Sequence, residues 1–164
     1  MPRLIAVTNA GPLIYLSLLG QLPLLRDLFA EILLPDAVYE EVVLHGRGLP
    51  GANETKAAVE EGWLRQVAVQ NRALVDALFG ELDVGEAETI ALARELGLGW
   101  VLMDDRSGRA KARMMGLGVT GTIGVLLLAR NSDFEVDLKR DLDLLLENNF
   151  RISHELYEQL IAEG

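Results

Sequence analysis

Several polar residues fall just beyond the apolar runs of this chain, where they could do chemistry: Asn9 after residues 4–8, Asp104-Asp105 after residues 100–103, and Thr120 and Thr122 around a short run at Val119. The pair Glu40-Glu41 lies one turn into the helix that follows Glu31–Pro35, and Glu86 and Glu88 open the helix that feeds the Asp104 strand. In an open parallel sheet, ligands gather at the carboxyl ends of the strands, so these residues are the candidates for a site. Carboxylates converging where helix N-termini also point repel one another unless a hard cation stands between them, and Mg²⁺ or Mn²⁺ takes such oxygen ligands. Plainer roles compete. A Glu in the first turns of a helix complements the macrodipole, which would account for Glu86 or Glu88. Asp105 could cap the next helix and leave Asp104 as the better ligand. Glu40 and Glu41 are neighbours on a helix and cannot share a face. His45 and His154 have no second histidine at ligand spacing and read as surface residues.

The helix after the acid pair carries Arg106, Arg109, Lys111 and Arg113, and the spacing of the three arginines places their guanidinium groups on one face. This stretch is basic in a chain whose 25 acidic and 15 basic side chains give a net charge of −10. A solvated helix face is one reading. A phosphate-binding strip beside a metal site is the other, and it is what cutting a nucleic-acid backbone requires. Only 5% of residues are aromatic, so base stacking is not expected to dominate. The stretch GLGVTG at 116–121 matches G-x-G-x-x-G, but its strand lies inside the match instead of before it, which argues against a dinucleotide site.

These residues need a scaffold, and the chain offers one. Apolar runs of strand length, at residues 4–8, Glu31–Pro35, 64–69, 100–103 and around Val119, alternate with helical patterns. That alternation predicts crossover connections, hence an α/β fold with a mostly parallel sheet and helices on both faces. The third strand reads as peripheral, HGRGLPG at 45–51 as an exposed loop, and the acidic last thirty or so residues as two helices. With 164 residues, half of them hydrophobic, a single domain over 1–164 with a sizeable core is expected. The absence of cysteine excludes disulfides, thiolate metal sites and a Cys nucleophile. No apolar stretch reaches membrane-spanning length, and MPRLIAV lacks the pattern of a signal peptide, so a cytoplasmic protein without membrane contact is expected.

Taken in order, N-A-G-P-L at 9–13, P-D-A-V-Y-E-E-V at 35–42, G-E-A-E-T-I-A-L-A at 85–93, D-D-R-S-G-R at 104–109 and T-G-T-I-G at 120–124 resemble the PIN-domain (PilT N-terminal) family of ribonucleases. Within it, the chain is similar to the VapC-like prokaryotic branch, over nearly its whole length. The resemblance implies a three-layer sandwich with a sheet of about five strands, and an acidic site chelating Mg²⁺ or Mn²⁺. It implies Glu41, Glu86 and Asp104 as metal ligands, Asp105 as a further participant and Thr122 as a hydrogen-bonding group. The implied substrate is RNA, with Arg106, Arg109 and Arg113 on its phosphates. An antitoxin protein and a homodimer, to which Leu126, Leu127 and Leu128 would contribute, are the implied partners. The family usually has Asp where this chain has Asn9, and Ser where it has Gly11. A metal-dependent endoribonuclease of weakened activity is therefore expected, with a catalytically silent nucleic-acid-binding or protein-interaction module as the alternative.

Overall fold

The computed structural model of the chain describes residues 3–163, in two compact units, one running to Val125 and the other starting at Leu126. The first unit opens with β1 (Ile5–Thr8), α1 (Ala10–Leu18), α2 (Pro23–Leu28), β2 (Glu31–Pro35) and α3 (Asp36–Tyr39). After α3 the chain winds wider, into a π-helical turn over Glu40–Leu44. Then come α4 (Ala52–Glu61), β3 (Leu64–Val67), α5 (Arg72–Leu78), α6 (Val84–Glu95), β4 (Trp100–Leu102), α7 (Arg106–Met114) and β5 (Gly118–Thr120), while α8 (Thr122–Asn131) crosses the boundary.

All five strands are parallel, in the order β3-β2-β1-β4-β5, so the strand expected to be peripheral is an edge strand. Val7 lies beside Leu33 and Val101 in register. These three side chains share a core with Val75, Leu78, Ile90, Ala91, Met103 and Ala112 from α5 to α7. Side chains alternate along a strand, so Ala6, Ile32, Leu34 and Leu102 point to the opposite face, and they too are buried. Both faces are thus covered, the reason these strands read as continuous apolar runs. This is the expected α/β sandwich.

The topology fixes where a site can lie. From β1 the chain winds one way to β2 and β3, then returns to β4 and β5 on the other side of β1. A crevice opens at the carboxyl ends of β1 and β4, where successive connections diverge. Asn9 and Asp104 are the residues just past those ends, with Asn9 N–H donating to the Leu102 carbonyl at 2.8 Å.

In the second unit, Asp137 caps α9 (Leu138–Glu147) and Ser153 caps α10 (His154–Ala162), as their side-chain oxygens accept from Arg140 and Leu156 N–H. The Tyr157 hydroxyl donates to Asp143, which also pairs with Lys139. Among the described residues, no helix is long and apolar enough to cross a membrane.

Candidate active site

Three groups of oxygen ligands stand at this crevice. The first meets over Gly85, in the first turn of α6. A Cβ at that position would stand 3.3 Å from Asn9 Oδ1, 3.3 Å from Glu41 Oε1 and 3.5 Å from Asp83 Oδ1. Asn9 occupies the N-cap of α1, yet its side chain makes no capping hydrogen bond. The usual structural reason for Asn before a helix is therefore absent here. Glu41 is exposed as a residue, next to the buried Val42 and Val43, but its carboxyl end lies in the crevice, where burial raises its pKa first and Asp83 second, against His45.

The second group pairs Glu86 with Asp105. The two side chains share a hydrogen bond; burial first, then that bond, push the Glu86 carboxyl up to about 8, while Asp105 is held below its ordinary value, chiefly by the same bond. Glu86 also accepts from Asp83 N–H at 3.0 Å while Asp83 accepts from Glu86 N–H at 2.8 Å, a reciprocal capping box on α6. Asp105 caps α7 by accepting from Gly108 N–H at 3.0 Å. A Cβ on Gly108 would come within 2.9 Å of Glu86 Oε2, so α7 approaches this pair as closely as it does only because residue 108 has no side chain.

The third group is Asp104 with Thr122. Thr122 N–H donates to Asp104 Oδ1 and the Thr122 hydroxyl donates to Oδ2, both at 2.7 Å, so the first residue of α8 clasps both carboxylate oxygens. Burial raises the Asp104 pKa, whereas those two bonds and the Arg109 charge favour the anion. Gly11 lies against the same carboxylate: a Cβ there would be 2.9 Å from Asp104 Oδ2.

Arg109 differs from its expected place on an outward strip. It turns toward the sheet and donates from Nη1 to the Met103 carbonyl at 2.8 Å, because that carbonyl sits just beyond β4 without a strand partner. Lys111 pairs with Glu81 at 2.6 Å. Arg106 and Arg113 are exposed, and among the described residues neither is in an ion pair.

One neighbour, Glu88, has a structural role. Glu88, 5% exposed, accepts from Ala37 N–H at 3.0 Å and from Arg72 Nη1 at 2.7 Å. It therefore ties the start of α3, whose continuation carries Glu41, to α6, which carries Gly85 and Glu86. Glu88→Ala is expected to cost about 2 kcal/mol by chemical denaturation, since it removes a charge-assisted bond and strands a backbone N–H. Glu88→Gln, which still accepts from Ala37, is expected to recover part of that loss. His45 and His154 are both exposed. Asp83, by contrast, was not marked by its position after a strand. Its signal is the D-x-x-E spacing of a capping box at 83–86.

The π-helical turn closes with His45 N–H on the Glu40 carbonyl at 2.8 Å. It is followed at once by Gly46, where a Cβ would collide with the Val42 carbonyl, so the exit from the turn requires glycine. π-Turns of this kind concentrate at functional sites.

The donors are all oxygens, which suits a hard divalent cation. Among the described residues, no three His, Asp or Glu side chains converge tightly enough to hold an ion. The fit is instead in the donor set: Asn9, Glu41, Glu86, Asp104 and Asp105 offer oxygen atoms at the same end of the sheet.

Because the folded protein keeps Glu86 protonated up to about pH 8 while the unfolded chain releases that proton near 4.5, the native state binds more protons between those values. Stability without metal should therefore fall as pH rises through this window and level off above it. Urea denaturation in chelator at about pH 5, 6.5 and 8 checks this, and Glu86→Gln should flatten the slope. An unchanged slope in that variant would assign the effect to another group.

A five-stranded parallel sheet with carboxylates at the ends of β1 and β4 defines an α/β protein with its candidate site at the switch point. The chain belongs to the PIN-domain family: the family model described as DUF3368, PIN domain, matches residues 5–163. Among curated proteins, no match to the chain was found. PIN domains generally depend on divalent metal ions, which accords with the oxygen donors assembled here.

Proposed function

We propose that the protein is a Mg²⁺- or Mn²⁺-dependent endoribonuclease, with residues 1–164 acting as one PIN-like domain. The observation that carries this reading is the meeting of Asn9, Glu41 and Asp83 oxygens over Gly85, one residue from Glu86 with its neighbour Asp105. Glu41, Glu86 and Asp104 would hold the ion, and Asn9 would offer its carbonyl oxygen. When bound, such an ion lowers the pKa of a bound water and neutralises charge on a phosphodiester. The chain's own groups do the rest. Thr122 holds Asp104 in one orientation through both oxygens, and Arg106 and Arg113 attract the flanking phosphates. Arg109, tied to the Met103 carbonyl, fixes α7 against the end of β4. Purified protein with Mn²⁺ should cleave members of a panel of structured and single-stranded RNAs. Intact RNA at high enzyme excess would remove the proposal.

One observation favours a second reading, a silent RNA-binding module: Asn9 is neutral where an acid would complete the ligand set. A pure binder would hold RNA in a salt-sensitive manner that survives chelation, with no cleavage at any metal concentration. To the first reading belong cytoplasmic action as the toxin of a toxin–antitoxin pair and a homodimer. Leu126 is buried on α8 whereas Leu128 is 41% exposed, an apolar residue available to a second copy. Light scattering that showed only an 18.0 kDa species would reject the dimer.

A further inference from the structure

Phe79, 62% exposed, is the most exposed aromatic side chain among the described residues. Its neighbours explain its position. Leu78 and Leu82 are buried in the core at 6% and 4%, and the backbone bridge between Phe79 and Leu82 closes a tight turn that throws the ring outward. Phe79 N–H is held by the Val75 carbonyl at 2.9 Å, so the ring is mounted on an ordered support.

The turn also fixes what lies nearby. Bridged residues stand roughly 5 Å apart, and Asp83 directly follows Leu82, so the Phe79 backbone is on the order of 9 Å from that of Asp83. In the same turn, Glu81 is paired with Lys111 at 2.6 Å, which ties the turn to the helix bearing the exposed Arg106 and Arg113. An exposed apolar ring thus shares one short turn with Asp83, an acid of the crevice, and with Glu81, which is paired to the cationic helix. A nucleic-acid strand matches that combination: its phosphates take the cations and an unpaired base takes the ring face.

We infer that Phe79 is a stacking platform for an unpaired RNA base next to the phosphate held at the acidic site, and that it makes the protein prefer single-stranded RNA. This rests on the proposed nuclease reading for the position of the phosphate. A base inside a duplex has no free face, so duplex RNA gains nothing from the ring. The low aromatic content of the chain makes one such platform, not an array, the expected arrangement.

The test measures binding of labelled oligoadenylate and of a duplex RNA to the full chain in chelator, where nothing is cut. Phe79→Ala should weaken oligoadenylate binding about tenfold, leave duplex binding unchanged and keep the salt slope, because the phosphate contacts remain. Phe79→Trp should retain affinity, and the emission it adds over wild type should be quenched by oligoadenylate. Equal affinity in wild type and Phe79→Ala, an equal loss on duplex RNA, an unquenched Trp, or no oligoadenylate binding by wild type would each overturn the platform. The last result would leave Phe79 to a protein partner. Phe79-dependent binding without cleavage by Mn²⁺-loaded wild type would support the platform and sink the nuclease reading. Cleavage indifferent to Phe79 would do the reverse.

Discussion

Asp104→Asn is expected to reduce RNA cleavage by about a hundredfold or more, the scale seen when a preorganised charge-stabilising group is removed from a site. The reason lies in the charge. Thr122 donates to both Asp104 oxygens at 2.7 Å, which fixes the carboxylate in place. In Asp104→Asn the remaining oxygen can still accept from Thr122 N–H, while the Thr122 hydroxyl turns to accept from the NH₂ group. The substitution thus keeps the clasp and removes the charge. Thr122→Ser, which preserves both donors, should keep most of the activity. Thr122→Val keeps the charge but removes the hydroxyl, and a partial loss is expected. Each variant is checked by single-turnover cleavage of a labelled RNA and by its melting temperature. Full activity in Asp104→Asn would show that the proposed ligand set is wrong at this position.

Asn9→Asp should act in opposite directions with and without metal. Asn9 Oδ1 stands over Gly85 beside Glu41 Oε1 and Asp83 Oδ1. A carboxylate in its place would face two others, where like charges disfavour ionisation, so the metal-free variant should melt at a lower temperature than wild type. With Mn²⁺ the added charge becomes a counter-charge: affinity should rise by about tenfold or more, and the melting temperature and cleavage rate should rise with it. A drop in stability in chelator together with a gain in Mn²⁺ is a signature that damage to the fold alone does not produce. Unchanged Mn²⁺ affinity by calorimetry would show that Asn9 is not a ligand position. In that case the residue is a neutral lining that keeps Glu41 and Asp83 from a third charge.

Much of this arrangement was legible before any coordinates. The strands at Ile5–Thr8 and Glu31–Pro35 announce themselves by short apolar runs with turn residues behind them. Asp83, Asp105 and Ser153 mark helix starts because a short polar side chain can accept from N–H groups that the helix leaves unpaired. Gly62 and Gly97 mark helix ends with φ of 90° and 67°. The PIN motifs follow from the same order of elements, and the family match bears out both family and fold. The clasp of Asp104 by Thr122 was also expected as a bond at the site.

Other features were out of reach. The sequence P-D-A-V-Y-E-E-V reads as plain α-helix, and nothing in it marks the π-turn that carries Glu41. Three arginines at helical spacing read as one strip, yet Arg109 turns inward to the Met103 carbonyl. Glu86 and Glu88 look alike on a helix. One meets Asp105 at the crevice, and the other holds Ala37 and Arg72. The physical reason is the range of the forces involved. Periodicity, caps and turns depend on neighbours a few residues away, so the sequence alone determined the elements, their order and the parallel sheet. Which partner each of two like buried carboxylates meets, and which oxygens face one another, depend on groups brought together from β1, the π-turn, α6 and α7. Those distances exist only after the sheet has closed on its helices, and only the tertiary structure decided them.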